Sequence, residues 1–300
     1  MPPAVDKHAQ SCAKLHYVRK NPRVKEQHVS AEEYPTYFSK LNDLRRIIAN
    51  DLPIQVDTHI LDLATGYGFF ALELAQRGSS LRIVGIDISP SDILEARQNL
   101  ERYDLADRVK FIEMDAAYMS FPNAGFDMVV NFLGLEDIHI TRGKTGVQNT
   151  FLEANRALRP DGLICFVAMP PDEMETEAQK TEVAVYSHIC GATWLDIGEY
   201  QEKLLRAELK LIDRRSYYTG KKLSPEHAKI EIRFACENVP RVYGVDARSY
   251  EETWARFGEE IQRNGIGHYS KVVLFVARKT SELHDRGESN AISKTGIRFS

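Results

Sequence analysis

Five short apolar runs, separated by stretches that suit helices, constrain this chain more than any other feature. They are HILDLA (59–64), LRIVGID (81–87), VKFIEM (109–114), FDMVVNF (126–132) and GLICFVA (162–168). Runs of this length and composition are strands covered on both faces. Helical stretches fall between them at 68–77, at 90–102 behind the start signals Ser89 and Pro90, and at 147–158. The segment between the third and fourth runs reads as loop. Strands that alternate with helices imply right-handed parallel crossovers, so the carboxyl ends of the strands share one edge of the sheet, where ligands bind.

The flanks read as additions to this sheet. Ser30-Ala31-Glu32-Glu33 matches a capping box and predicts a helix to about Asn50. Beyond Pro171 come helices at 173–191 and 196–207, a strand at Leu209–Tyr217, helices opened by Ser224 and by the capping box Ser249–Glu252, and a final strand over 269–279. The expected fold is α/β, a doubly wound, seven-stranded, mostly parallel sheet with helical lid additions. The expected division is an N-terminal segment and lid helix (1–52), an α/β core (53–170), lid helices with the completing strands (171–279) and a disordered tail (280–300).

With 300 residues, 43% of them hydrophobic, the chain can bury a sizeable core. A net charge of -4 exerts no overall pull on a phosphate backbone, so nucleic acid is a disfavoured partner. Cys12, Cys165, Cys190 and Cys236 lack metal-ligand spacing, and the histidines form no H-E-x-x-H, so no metal is expected. There is no G-x-S-x-G elbow. No segment approaches the roughly 20 apolar residues of a membrane span, and the first residues lack a signal core. The expected location is a reducing cytoplasm.

The segment Asp62-Leu63-Ala64-Thr65-Gly66-Tyr67-Gly68 sets an acid in a buried strand before small residues and a helix start. Small residues let a ligand approach the backbone, and free N–H groups at a helix start can hold its polar end. A glycine-rich turn alone is weak support for a site. Two further acids strengthen it: Asp87 closes the second strand, 21 residues beyond Gly66, where a carboxylate can accept ribose hydroxyls, and Asp115 follows the third, where it can accept an exocyclic amine.

The string from His59 to Gln76 resembles the first motif of class I S-adenosylmethionine (SAM)-dependent methyltransferases, in the form found in quinone-biosynthesis and small-molecule members. Asn131–Ile138 and Phe151–Gly162 resemble the corresponding later passages. Ala64 stands where the general pattern has its first glycine. Asn131-Phe132-Leu133-Gly134 lacks the N/D-P-P-Y/F signature of nucleobase-amine methylation. The resemblance implies SAM as cofactor and S-adenosylhomocysteine as product. It implies that Asp62 meets the methionyl amino group, that Ala64, Thr65, Gly66 and Gly68 form the loop, that Asp87 holds the ribose, that Asp115 takes the adenine amine, that Ile88 and Ala116 flank the adenine, and that Asn131 lines the methionyl side.

Methyl transfer from a sulfonium is an in-line displacement, helped by a base where the acceptor must lose a proton. Candidates are Glu136, Asp137, His139 and His268, with His188, Tyr217 and Tyr243 from later segments. Each also has an ordinary role as a cap, surface or core residue. Aromatic residues on both flanks, among them Tyr34, Tyr186, Tyr243 and Tyr269, suit the walls of an apolar pocket. The expected partner is a small-molecule acceptor whose O, C or N atom is methylated, with a homodimer allowed for. The alternatives are a protein or RNA methyltransferase, signalled by the N-terminal bases Lys14, Arg19, Lys20, Arg23 and Lys25, and a SAM-binding module without catalysis.

Overall fold

The computed structural model describes residues 16–19, 26–30, 34, 37–192 and 194–280. The chain enters through strands β1 (His16–Arg19) and β2 (Gln27–His28) and helix α1 (Tyr37–Asp51). The alternating part follows as β3 (His59–Leu63), α2 (Phe69–Ala75), β4 (Arg82–Asp87), α3 (Pro90–Leu100), β5 (Val109–Glu113), β6 (Phe126–Phe132), α4 (Leu135–Ala157) and β7 (Leu158–Ala168). A 3₁₀ turn at Pro171–Glu173 leads into α5 (Glu177–Cys190), α6 (Ile197–Arg206), β8 (Leu209–Tyr218), β9 (Lys221–Leu223), α7 (Pro225–Tyr243), α8 (Tyr250–Asn264), β10 (Ile266–Gly267) and β11 (Lys271–Lys279).

The main sheet has the order β1-β8-β11-β7-β6-β3-β4-β5, with β11 antiparallel to both of its neighbours and every other pair parallel. Its seven principal strands are the expected ones. Chain order runs outward from β3 on one side through β4 and β5, and on the other through β6 and β7, so the strand order reverses between β3 and β6. A crevice at the carboxyl ends of such a pair is where open α/β sheets take ligands.

Apolar residues cover both faces. Leu44 and Ile48 of α1, Phe70 and Leu74 of α2 and Ile93 of α3 pack with Ile60, Ile83 and Val130 on one side. Val147 and Phe151 of α4 and Tyr200 and Leu204 of α6 pack with Leu61, Ile86, Val129 and Phe166 on the other. Phe166 and Phe275 stack at 4.7 Å.

The departures from expectation have physical reasons. β1 adds an eighth, edge strand, and β10, β9 and β2 form a separate three-stranded sheet. These pieces are too short for a periodic signal and exist through ladder pairing with distant segments. Helix α1 is seen from Tyr37 instead of Ser30, and residues 31–33 of the proposed capping box lie outside the described residues. Helix α4 begins at Leu135, not at 147, because the glycines at 143 and 146 mask its pattern; Gly143 interrupts it with φ 67 and ψ -173. Most of the expected disordered tail, residues 281–300, also lies outside the described residues.

Candidate cofactor and acceptor site

After β3, the backbone enters left-handed conformations at Ala64 (φ 47), Gly66 (φ 52) and Gly68 (φ 77). Turns of this kind point backbone N–H groups into a concavity that suits a polar ligand. The two glycines do different work. A Cβ on Gly68 would collide with the Phe111 ring, so Gly68 lets the loop close over β5. A Cβ on Gly66 would meet nothing within 4 Å, so open space lies above it.

Three acids face this loop or its rim. Asp62 is 1% exposed and accepts a hydrogen bond from Thr65 Oγ1 at 2.6 Å. Burial, with the charge of Asp87 adding to it, pushes its carboxyl up to about 7, against the opposing pull of Thr65 and Arg45. Asp87 accepts the backbone N–H of Gly66 on one oxygen and that of Ser89 on the other, each at 2.9 Å. Burial raises its pKa too. Asp115 accepts Ala117 N–H at 2.8 Å and Arg142 Nε–H at 2.9 Å. Ile88 is 44% exposed at the mouth of the site, and Ala116 is buried.

Asn131 is held by the backbone around it. Its Nδ2 donates to Leu63 O at 2.7 Å, and its Oδ1 accepts Gly134 N–H at 3.1 Å and Leu135 N–H at 3.2 Å. The amide ties the β3 and β6 ends together and so shapes the loop beside the expected methionyl side.

The candidate bases separate by helix phase. Successive residues on a helix point about 100° apart, so Glu136 and His139 face α6 while Asp137 turns toward Tyr243 of α7. Glu136 is bonded by Tyr200 and by Met169 N, and burial pushes it up to about 7. His139 is buried near Lys144, Glu199 and Lys203, and burial lowers its pKa. His188 lies 3.4 Å from Arg256 on α8, and Tyr217 donates to Asp51 at 2.8 Å. None of these four faces Asp87. His268 packs its ring against Tyr269, and burial lowers it to about 4, which keeps it neutral.

Asp137 is the exception. It accepts the Tyr243 hydroxyl at 2.8 Å, and burial, with Asp87 and Asp92 adding to it, raises its carboxyl to about 7. Its charge also acts on Cys190 of α5 and on Tyr269. It thus joins the strand-end acids to α5 and α7.

Two arginines went unnoticed in the sequence. Arg142 holds Asp115, and Arg45 of α1 lies 5.3 Å over the Phe69 ring and 5.1 Å over the Phe132 ring. Nothing local marks either, since both sit in stretches that read as ordinary helix or loop.

The donor set fits SAM. Asp62, Asp87 and Asp137 raise one another's pKa or are raised by burial, and a site of this kind stabilises a cation. The open space over Gly66 adjoins both Asp62 and Asp87 through Thr65 and the Gly66 N–H. Among the described residues no cluster could hold a metal ion, and no helix is long and apolar enough to cross a membrane.

Comparison with known proteins agrees. The model of a methyltransferase domain matches residues 60–162. The 27-O-demethylrifamycin SV methyltransferase of Amycolatopsis mediterranei is 29% identical over 238 residues, 77% of this chain and 81% of that protein. The demethylmenaquinone methyltransferase of Thermus thermophilus is 35% identical over 131 residues, 43% of this chain and only 56% of that protein. Among solved structures, the [4+2]-cyclase SpnF superposes with a TM-score of 0.56 at 18% identity, covering 90% of this chain and 89% of that one, a likeness of fold alone. The sheet order, the loop with its acids and these relatives together mark residues 60–162 as a methyltransferase domain, in a chain similar to the class I SAM-dependent methyltransferases.

Proposed function

We propose that the chain methylates an oxygen, carbon or nitrogen atom of a small-molecule acceptor held between the carboxyl edge of the sheet and the lid formed by α1, α5 and α7. The observation that carries this reading is Asp137, which is set beside the strand-end acids, bonded to Tyr243 and raised to about 7. The two named relatives, whose names specify small-molecule acceptors, support it.

In this reading Asp62 holds the methionyl ammonium, Asp87 the ribose hydroxyls and Asp115 the adenine amine, while Asn131 maintains the loop. SAM supplies a methyl group on a sulfonium leaving group. The lid holds the acceptor at near-attack distance, an effect that supplies up to about 7–11 kcal/mol. Asp137 accepts the acceptor's proton, and Tyr243 fixes the orientation of the carboxylate. A base matched to neutral pH contributes roughly 10²–10⁴-fold.

Calorimetric titration with SAM and S-adenosylhomocysteine tests the cofactor part, with Asp87→Ala expected to weaken both at least tenfold. Formation of S-adenosylhomocysteine with a panel of phenols, quinols and amines tests the acceptor part. Tight SAM binding with no transfer to any of them would favour a binding module.

A further inference from the structure

Beside Asp137, tyrosines from three separate segments meet: Tyr186 of α5, Tyr243 of α7 and Tyr269 just before β11. Protein encloses Asp137, Tyr186 and Tyr269, yet each keeps accessible surface, so they line an internal space. Tyr243 gives its hydroxyl to Asp137, whereas the hydroxyls of Tyr186 and Tyr269 have no partner among the described residues.

Acids dominate around this space. Residues four apart share a helix face, so α5 turns Glu182, Tyr186 and Cys190 the same way. The charge of Asp137 reaches Cys190, and that of Glu182 reaches Tyr186 and Tyr269. Glu231 of α7 accepts the Tyr34 hydroxyl at 2.7 Å and acts on Tyr186 and Tyr269 as well. Arg45 opposes these acids at Tyr269. Glu182 is 2% exposed; its Oε1 accepts Tyr269 N–H at 2.6 Å, and its Oε2 has no hydrogen-bond partner among the described residues. Burial pushes this carboxyl up to about 8, so a cation nearby would draw off its proton and gain a full opposite charge.

A phenolate or an enolate in these surroundings would face like charge, whereas an ammonium is favoured by the carboxylates and by the faces of the tyrosines. We infer that the acceptor is an amine, bound as its cation among Tyr186, Tyr243 and Tyr269 and methylated on nitrogen. This inference rests on the small-molecule reading above and narrows it to one kind of atom. Asp137 takes a proton from the ammonium, and the freed lone pair on nitrogen forms the N–CH3 bond. The S–CH3 bond breaks with its electron pair left on sulfur, which gives S-adenosylhomocysteine and an N-methylammonium product.

The test titrates the full chain, saturated with S-adenosylhomocysteine, with two probes of one skeleton, 2-phenylethylamine and 2-phenylethanol. The amine should bind at least about tenfold more tightly. Glu231→Gln keeps a partner for Tyr34 but removes the charge, so it should weaken the amine at least threefold and leave the alcohol and S-adenosylhomocysteine within twofold. Glu182→Gln should act in the same direction, and it decides the matter if Glu231→Gln does not fold. With SAM present, amines should yield S-adenosylhomocysteine where phenols and quinols of similar size do not. No difference between the two probes, equal weakening of both by the variants, or transfer to a phenol or quinol in preference to an amine would overturn the inference. Transfer to no acceptor of any class by a chain that binds SAM would instead remove the small-molecule reading itself, a result visible in the wild type alone.

Discussion

Arg142 donates from Nε to Asp115 Oδ2 at 2.9 Å, reaching across 27 residues of sequence to hold the acid that follows β5. Gly143, with its φ of 67, breaks α4 immediately after this arginine, and a Cβ on Gly146 would collide with the Arg142 side chain. The two glycines thus let the helix turn Arg142 onto Asp115. The pair is partly solvent-exposed, with side chains 41% and 22% exposed, so its worth is about 0.2–1 kcal/mol. Arg142→Ala should accordingly weaken S-adenosylhomocysteine by about two- to fivefold at low salt. Raising the salt to about 1 M should bring wild type and variant together, and a difference that persists would contradict an electrostatic role.

The glycine loop separates folding from binding. Gly66→Ala places a side chain in open space at φ 52, so stability should fall by only about 1–2 kcal/mol while SAM binding is lost. Gly68→Ala combines φ 77 with a collision against Phe111 and should lower stability further. Denaturant melts and titration of both variants measure the contrast. Equal effects on binding and stability in the two would show that the space above Gly66 is not the ligand's.

Cofactor binding should release protons. Asp62 and Asp137, both near 7 in the empty protein, are partly protonated at pH 6.5, and a cation beside them favours their ionised forms. Titration with SAM at pH 6.5 in two buffers of different ionisation heat should report net release. The same shifts act on stability. A carboxyl raised from 3.8 to about 7 contributes stability that is complete below about 4 and is lost as pH rises through 7. Asp137→Asn should therefore show a shallower fall in thermal midpoint between pH 4 and 7 than wild type, and parallel curves would refute the raised value.

Lys271, 1% exposed, lies 3.0 Å from both Glu173 Oε2 and Glu175 Oε1, and Tyr218 donates to Glu175 at 2.6 Å. Lys271→Met takes a buried cation from both carboxylates, leaving Glu173 with Arg214 at 3.3 Å, and should cost about 3–5 kcal/mol. Urea denaturation reads this directly, and a loss under about 1 kcal/mol would mean that water replaces the lysine.

The parts of this protein legible in the sequence are those with local causes. Short apolar runs mark β3 to β7, although β5, at the sheet edge, exposes Lys110 and Glu113 instead of being covered on both faces; the cap at Ser89 marks α3, and the small residues of the loop with Asp62, Asp87 and Asp115 mark the carboxyl edge, because each signal lies within a few residues of what it predicts. Tertiary structure decided the rest. Glu136, Asp137 and His139 are close neighbours in sequence, and only the packing of α6 on one side and of α7 on the other sets Asp137 apart from the other two. Its partner Tyr243 lies 106 residues away, a distance over which no local pattern extends. Arg142 meets Asp115 through the same long-range packing, and the Asn131 amide reaches Leu63 at the end of β3, 68 residues away. Burial runs and turns are written residue by residue, whereas the meeting of side chains at a site depends on which faces the completed fold brings together.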